Sequence, residues 1–405
     1  MSWSSLIHRR SVLIRLPATL VLAGLGAGCS GQMTGLSPAS DQTFSAPVGS
    51  VQSQPLEGSV GTAIGTGPVR VALVLPLTQA SGPSIIGSSM RNAAEMAIAE
   101  ANSTELTLLL KDDHSTAEGA RDAAKAAIGE GAELFIGPLF ANNVREVGAQ
   151  AKAAGRPVIG FSTDSSVAQP GVYLLSFLIE SQVDRIVDFA ASKGKKSFAA
   201  MVPEGEYGNV ALAEFQQITA RKNIRVMSIE RYAPGAATPA AAKINALGNQ
   251  IDAVFVPEQA ENMPAVAPSL TAFSARKLQI LGTGVWNDAR VLSLPSVQGA
   301  WFAATENAGF NAFSARYRSK YGSEPARIAT LAYDAVSLAA ALARTQGAQR
   351  FADRTLTNAS GFNGADGVFR FRADGVNERG IAIYQVSSGT ATPLNPAPKS
   401  FTPGT

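Results

Sequence analysis

From Val69 onward the chain alternates short, almost uninterrupted apolar runs with Ala-rich stretches whose apolar residues recur at helical spacing, and few architectures accept that alternation. A strand with one face in water shows a polar residue at every second position, whereas the run from Val69 to Leu75 is apolar on both sides apart from Arg70. Strands covered on both faces and joined by helices of about a dozen residues make a parallel sheet between two helical layers. Strands are expected at 69–75, 106–110, 133–136 and 157–160, with helices over 89–101, 117–129 and 143–154. The pattern then restarts with helices at 182–192, 210–221 and 240–247 and strands at 197–202, 225–229, 253–256 and 278–281. Two consecutive α/β units follow, which suits a chain too long for a single core. The last hundred residues read as helices over 310–321 and 326–343 and strands over 368–372 and 381–386.

The formal charge of +3 comes from Lys+Arg 34 against Asp+Glu 31, and it has a location. Residues 1–28 hold Arg9, Arg10 and Arg15 and no Lys, Asp or Glu, so the remainder is neutral and a nucleic-acid partner is not expected. A basic start, an apolar run from Leu16 to Ala27 and small residues at its end describe an export signal, too short to span a bilayer. From Cys29 to Gly67 the composition is mainly Gly, Ser, Thr, Pro, Gln and Ala, with Asp41 and Glu57 the only charges, which reads as a flexible tether. The expected organisation is 1–28 signal peptide, 29–67 tether, 68–176 first part of lobe one, 177–300 first part of lobe two, and 301–405 an alternating return to both lobes.

Cys29 is the only cysteine, and His8 and His114 are the only histidines, so zinc, haem, iron–sulfur and Cys-His chemistry lack the residues they need. No cofactor is expected. Gly-x-Ser-x-Gly, Walker and His-Glu-x-x-His patterns are absent from the sequence. Ser192 to Lys195 and Ser274 to Lys277 fit Ser-x-x-Lys without its partner motifs. Asp112-Asp113-His114-Ser115 sets two carboxylates beside a histidine, but consecutive strand residues point apart, so helix capping by Asp113 or Ser115, with Ser115–Glu118 as a capping box, is the preferred reading. Ligands of open parallel sheets sit beyond the carboxyl ends of the strands. The loops there offer Phe140, Ala141 and Asn142; Ser162, Thr163 and Asp164; Tyr207; Glu258; and Trp286 as candidate contacts for a small polar ligand. No catalytic residue is expected.

Val71-Ala-Leu-Val-Leu-Pro-Leu-Thr78, Leu110-Lys-Asp-Asp113, Phe135-Ile-Gly-Pro-Leu139, Gly155-Arg-Pro-Val-Ile159, Glu206-Tyr-Gly208 and Tyr333-Asp-Ala335 resemble, in order and spacing, the type I periplasmic binding-protein superfamily, leucine/isoleucine/valine-binding branch. The resemblance implies two α/β lobes joined by three crossovers, a ligand enclosed between them, and solute recognition for an ABC permease without enzymatic activity. Counted without gaps, the family's ligand-gripping serine and threonine fall at Ala141 and Asp164, its acidic residue at Gly284, and its aromatic residue at Tyr207; a gap of one residue places Asn142 and Thr163 in register instead.

Leu25 to Cys29 resembles a lipoprotein box, which implies a periplasmic protein held to a bacterial membrane through lipidated Cys29, and Arg9 to Leu13 resembles a twin-arginine signal. Gly160 to Ala168 followed by Gly171 to Leu175 is also similar to tethered penicillin-binding protein activators, which implies a peptidoglycan synthase as the alternative partner.

Overall fold

The computed structural model describes residues 63–401. The export signal, Cys29 and nearly all of the tether lie outside the described residues. The strand Val69–Leu75 occupies the middle of a six-stranded sheet, paired in parallel with Leu106–Asp112 on one side and Leu134–Ile136 on the other. Val158–Gly160 and Val172–Leu174 extend the sheet in parallel, and Ala63–Ile64 closes the opposite edge antiparallel. Strand periodicity explains the unbroken apolar run. Val71, Leu73 and Leu75 enter a core shared with helices Ile85–Glu100 and Ala329–Thr345, while Ala72 and Val74 enter another with helices Ala117–Gly129 and Ala141–Ala153.

The second sheet has seven strands in the order Arg225–Tyr232, Ser197–Pro203, Ala253–Phe255, Gln279–Gly282, Trp301–Ala304, Ala382–Ser387 and Thr390–Asn395. Its first five strands are parallel and its last two antiparallel. Phe198, Ala200 and Val202 face helices Ile179–Ser192 and Glu206–Arg221, whereas Ala199 and Met201 face a core that contains Trp286. The fold is therefore two α/β lobes, each a mainly parallel sheet flanked by helices.

Three passages connect the lobes. The chain leaves the first sheet at Leu174 and enters helix Ile179–Ser192 of the second lobe. After Ala304 it returns, and helices Asn307–Tyr321 and Ala329–Thr345 pack on Ile85–Glu100. A three-stranded antiparallel patch (Phe362–Gly364, Gly367–Phe371, Asn377–Arg379) adds Phe369 and Phe371 to the first lobe's core before Ala382–Ser387 rejoins the second sheet. The Asp112–Ser115 segment corrects one expectation: Thr116, not Asp113 or Ser115, caps the following helix, its hydroxyl accepting from Gly119 N–H. His114 and Ser115 both adopt positive φ, which removes Ser115 from the capping position. Asp112 instead accepts from the Leu77 and Thr78 amides, and Asp113 accepts from Asn143, so the two carboxylates serve separate loops.

Candidate functional site

The carboxyl ends of Val158–Gly160 and Val172–Leu174 in the first sheet and of parallel strands in the second border one cleft, which divides into two chambers of about 710 and 620 Å³ sharing Thr163, Phe177, Ile179, Tyr207 and Gln259. In the first chamber, Thr163, Asp164 and Ser165 come from the loop after Val158–Gly160, and Glu204–Tyr207 from the turn after Ser197–Pro203. Tyr232 ends its strand there, and Glu258 and Asn262 follow Ala253–Phe255.

Glu258 organises that wall. The Tyr232 hydroxyl donates to its Oε2 at 2.6 Å, and the Gln259 amide and Asn262 side chain donate to Oε1 at 2.8 and 3.1 Å. Its backbone carbonyl accepts from the Trp286 indole at 3.2 Å. Burial, then the Glu258 carboxylate that accepts its proton, push the Tyr232 hydroxyl far above the ordinary phenol range. Tyr207 shares a 2.7 Å hydrogen bond between hydroxyls with buried Thr283, and burial raises it to about 12, with Thr283 opposing and Glu258 and Glu261 adding to the rise.

The second chamber lies against the passages between lobes. Arg327 makes a two-pronged pair with Asp366 at 2.6 and 2.9 Å and donates to Thr305 Oγ1 at 2.9 Å. Arg379, buried, donates through Nε to the Ser176 carbonyl at 3.0 Å, and its guanidinium lies 4.8 Å from the Phe177 ring centre. Burial lowers the Arg379 pKa, partly offset by Asp334 and Asp366, and burial pushes Asp334 up to about 7.

The residues read from the sequence divide in space. Thr163 and Asp164 border the first chamber, Glu258 forms part of its wall, and Tyr207 borders both chambers. Asp164 caps the short turn Ser165–Val167 and approaches Arg145 at 3.7 Å. Ser162 is buried and accepts from the Asp164 amide, holding the loop rather than bordering a chamber. Phe140, Ala141 and Asn142 begin helix Ala141–Ala153 on the first lobe and border neither chamber. Trp286 is fully buried, so its ring supports the wall from behind. Glu180, Tyr232, Asn262, Arg327 and Arg379 escaped the sequence reading. Tyr232 had a signal, since it ends a strand read only as far as Ile229; the arginines had none.

Residues 68–391 match the family model described as periplasmic binding protein. Among solved structures, a protein of Rhodospirillum rubrum proposed to belong to a branched-chain amino acid ABC transporter superposes with a TM-score of 0.71 at 18% identity, covering 80% of this chain and 99% of that one. The branched-chain amino acid substrate-binding protein LivJ of Streptococcus pneumoniae, in complex with isoleucine, gives 0.55 at 19% identity, covering 81% and 99%. A solute-binding protein of Rhodopseudomonas palustris BisB5, in complex with 3,4-dihydroxybenzoic acid, gives 0.55 at 20% identity, covering 82% and 98%. A curated relative, Uncharacterized protein RP748 of Rickettsia prowazekii (strain Madrid E), is 20% identical over 224 residues, 53% of this chain and 59% of that protein. With the family model spanning most of its length, both lobes included, the chain belongs to the periplasmic binding proteins, non-enzymatic binders of solutes.

Proposed function

We propose that the protein is the periplasmic receptor of an ABC importer, taking a small polar amino compound or amide into the interlobe cleft. The observation that carries this reading is the cleft itself: two joined chambers at the carboxyl ends of both sheets, beside the passages about which the lobes would turn. The fold relatives that hold isoleucine and 3,4-dihydroxybenzoic acid support a ligand of that scale. Thr163 and Asp164 contribute from the first lobe and Tyr207 and Glu258 from the second, with Trp286 behind. The test is a thermal-shift panel of amino acids, amides, amines and short peptides, followed by small-angle scattering with each hit. One compound should raise the melting temperature by several degrees and shrink the radius of gyration; a folded sample indifferent to the whole panel would contradict the receptor reading.

From the resemblance of Leu25 to Cys29 to a lipoprotein box we also infer a lipid on Cys29, with the tether letting the lobes work away from the membrane. The same leash, with the Gly160–Ala168 sequence, favours a second role in which the lobes dock on a peptidoglycan synthase. Cross-linking in envelope extract should then recover the synthase; recovery of permease subunits alone would remove that role.

A further inference from the structure

We propose that the cleft selects an organic cation, an amine or guanidine, over a carboxylate or a net-neutral amino acid. The inference rests on the receptor reading and narrows it to a ligand class. The cleft is defined by topology and family independently of its charges, and those charges are one-sided. Glu180, Glu204, Glu206 and Glu258 border the first chamber and Glu261 the second, and among the described residues none of the five lies within 4.0 Å of a Lys or Arg nitrogen. Elsewhere on the same lobe Asp184, Asp188, Glu214 and Glu230 each pair with a cation. No Lys borders either chamber. Of the two arginines of the second chamber, Arg327 is neutralised by its two-pronged bond to Asp366, while Arg379 has no ion pair within 4.0 Å among the described residues and leaves a single buried positive charge against the five carboxylates.

One of the carboxylates, Glu258, is withdrawn from water, and a second, Glu180, is half-buried. Glu258 is 2% exposed, and its three donors, from Tyr232, Gln259 and Asn262, are all neutral. Glu180 accepts from Ser165 Oγ through Oε1 at 2.6 Å, while its Oε2 is buried with no hydrogen-bond partner. Buried carboxylates without a counter-ion are costly, and an ammonium or guanidinium entering the chamber would supply one. Tyr207 and Tyr232 bring aromatic rings to the first chamber, where a partly dehydrated cation gains from a ring face. A ligand carboxylate would meet the same acidic wall as repulsion.

The test is calorimetry and thermal shift on the full chain with agmatine, cadaverine, L-leucine and benzoate, at about 50 and about 500 mM NaCl. Agmatine or cadaverine should bind, weaken several-fold at high salt, and lose about tenfold or more in affinity with Glu258→Gln. Glu204→Gln, at an exposed position that cannot disturb the core, should weaken the same amine two- to threefold with no change in the unliganded melting temperature. Binding of leucine or benzoate with silence from both amines would overturn the charge inference and leave the receptor reading standing. Amine binding indifferent to both substitutions would also overturn it, because the cation would then sit elsewhere. Silence from all four probes would overturn the cation inference, while the receptor reading would still answer to its own wider panel.

Discussion

Gly282 ends a strand of the second sheet with the Trp286 indole lying over its α-carbon. A Cβ at this position would fall 2.5 Å from Cε3 and 2.6 Å from Cε2 of that ring, roughly 1 Å inside the separation at which carbon atoms attract. The indole cannot retreat, because it is fully buried in one core with Val291, Val297 and Phe302 and its N–H holds the Glu258 carbonyl. Gly282→Ala must therefore move either the strand or the ring. Overpacking by one methyl costs about 1–3 kcal/mol, and loosening the indole hydrogen bond adds about 1 kcal/mol. For a chain with lobes of this size the sum corresponds to a melting temperature lower by roughly 5–10 °C. Differential scanning calorimetry measures the shift, and a red-shifted tryptophan emission would report the indole's displacement toward water. Phe is a smaller ring, so Trp286→Phe in the Gly282→Ala background should restore part of the loss, measured against Trp286→Phe alone. A Gly282→Ala protein melting within about 1 °C of the parent, or a double variant whose losses simply add, would refute the steric account.

Asp334 gives a pH signature. Its folded value, raised by burial to about 7 against an ordinary 3.8, means that the folded chain keeps a proton which the unfolded chain releases, so between those values stability falls as pH rises, by up to about 1.4 kcal/mol per unit, and levels off above. Asp334→Asn removes that slope, so its urea midpoint relative to the parent should climb from pH 5 to 7.5; a constant difference would show that Asp334 does not titrate there. Asp113→Ala strips Asn143 of its buried acceptor and should cost about 1–3 kcal/mol in urea unfolding, whereas a loss below about 0.5 kcal/mol would show that solvent replaces the bond. Cys29→Ser should move the protein from the membrane pellet to the soluble periplasmic fraction; retention in the pellet would rule out the lipid anchor.

The parts of the fold that could be read from the sequence are those whose stability is local. The run Val69–Leu75 declares itself because each of its faces meets an apolar helical layer, and helix Ala117–Gly129 because its buried alanines recur at helical spacing. Trp301–Ala304 escaped, since four residues, two of them alanine, are too short a run to show a strand period; their conformation comes from pairing with Leu281 and Gly282 on one side and Ala382–Ser387 on the other. The segment from Met263 to Ala275 turns helical in three short pieces, and Pro264 and Pro268 interrupt any periodicity that would announce them. The site divides in the same way. Strand-end loops follow from topology, so Thr163, Asp164, Tyr207 and Glu258 were within reach. Trp286 follows a strand end that reaches the cleft, but its ring falls behind the wall, and the Phe140 loop stays clear of both chambers; tertiary packing decides both.

Arg327, Asp334, Asp366 and Arg379 are the residues no local pattern could assemble, and their placement accounts for the charge of the cleft. The three passages between the lobes meet at Phe177, whose ring carries the Arg327 guanidinium at 4.7 Å and that of Arg379 at 4.8 Å. Arg379 binds Ser176 of the first passage and itself precedes the third, while Arg327 binds Thr305 of the second. A rotation of the lobes, the motion that enclosing a ligand requires, would turn about this clasp. The arrangement lowers stability, because both terminal nitrogens of Arg379 and Oδ2 of Asp334 are buried without partners. Buried ionic groups of this kind are weak stabilisers, and fixing the geometry of the crossing chains is the return that this position offers. Since Asp366 neutralises Arg327, only the charge of Arg379 is left to offset Glu180, Glu204, Glu206, Glu258 and Glu261. The hinge and the wall thus lead to one expectation: the charge missing from the cleft is the one the ligand brings.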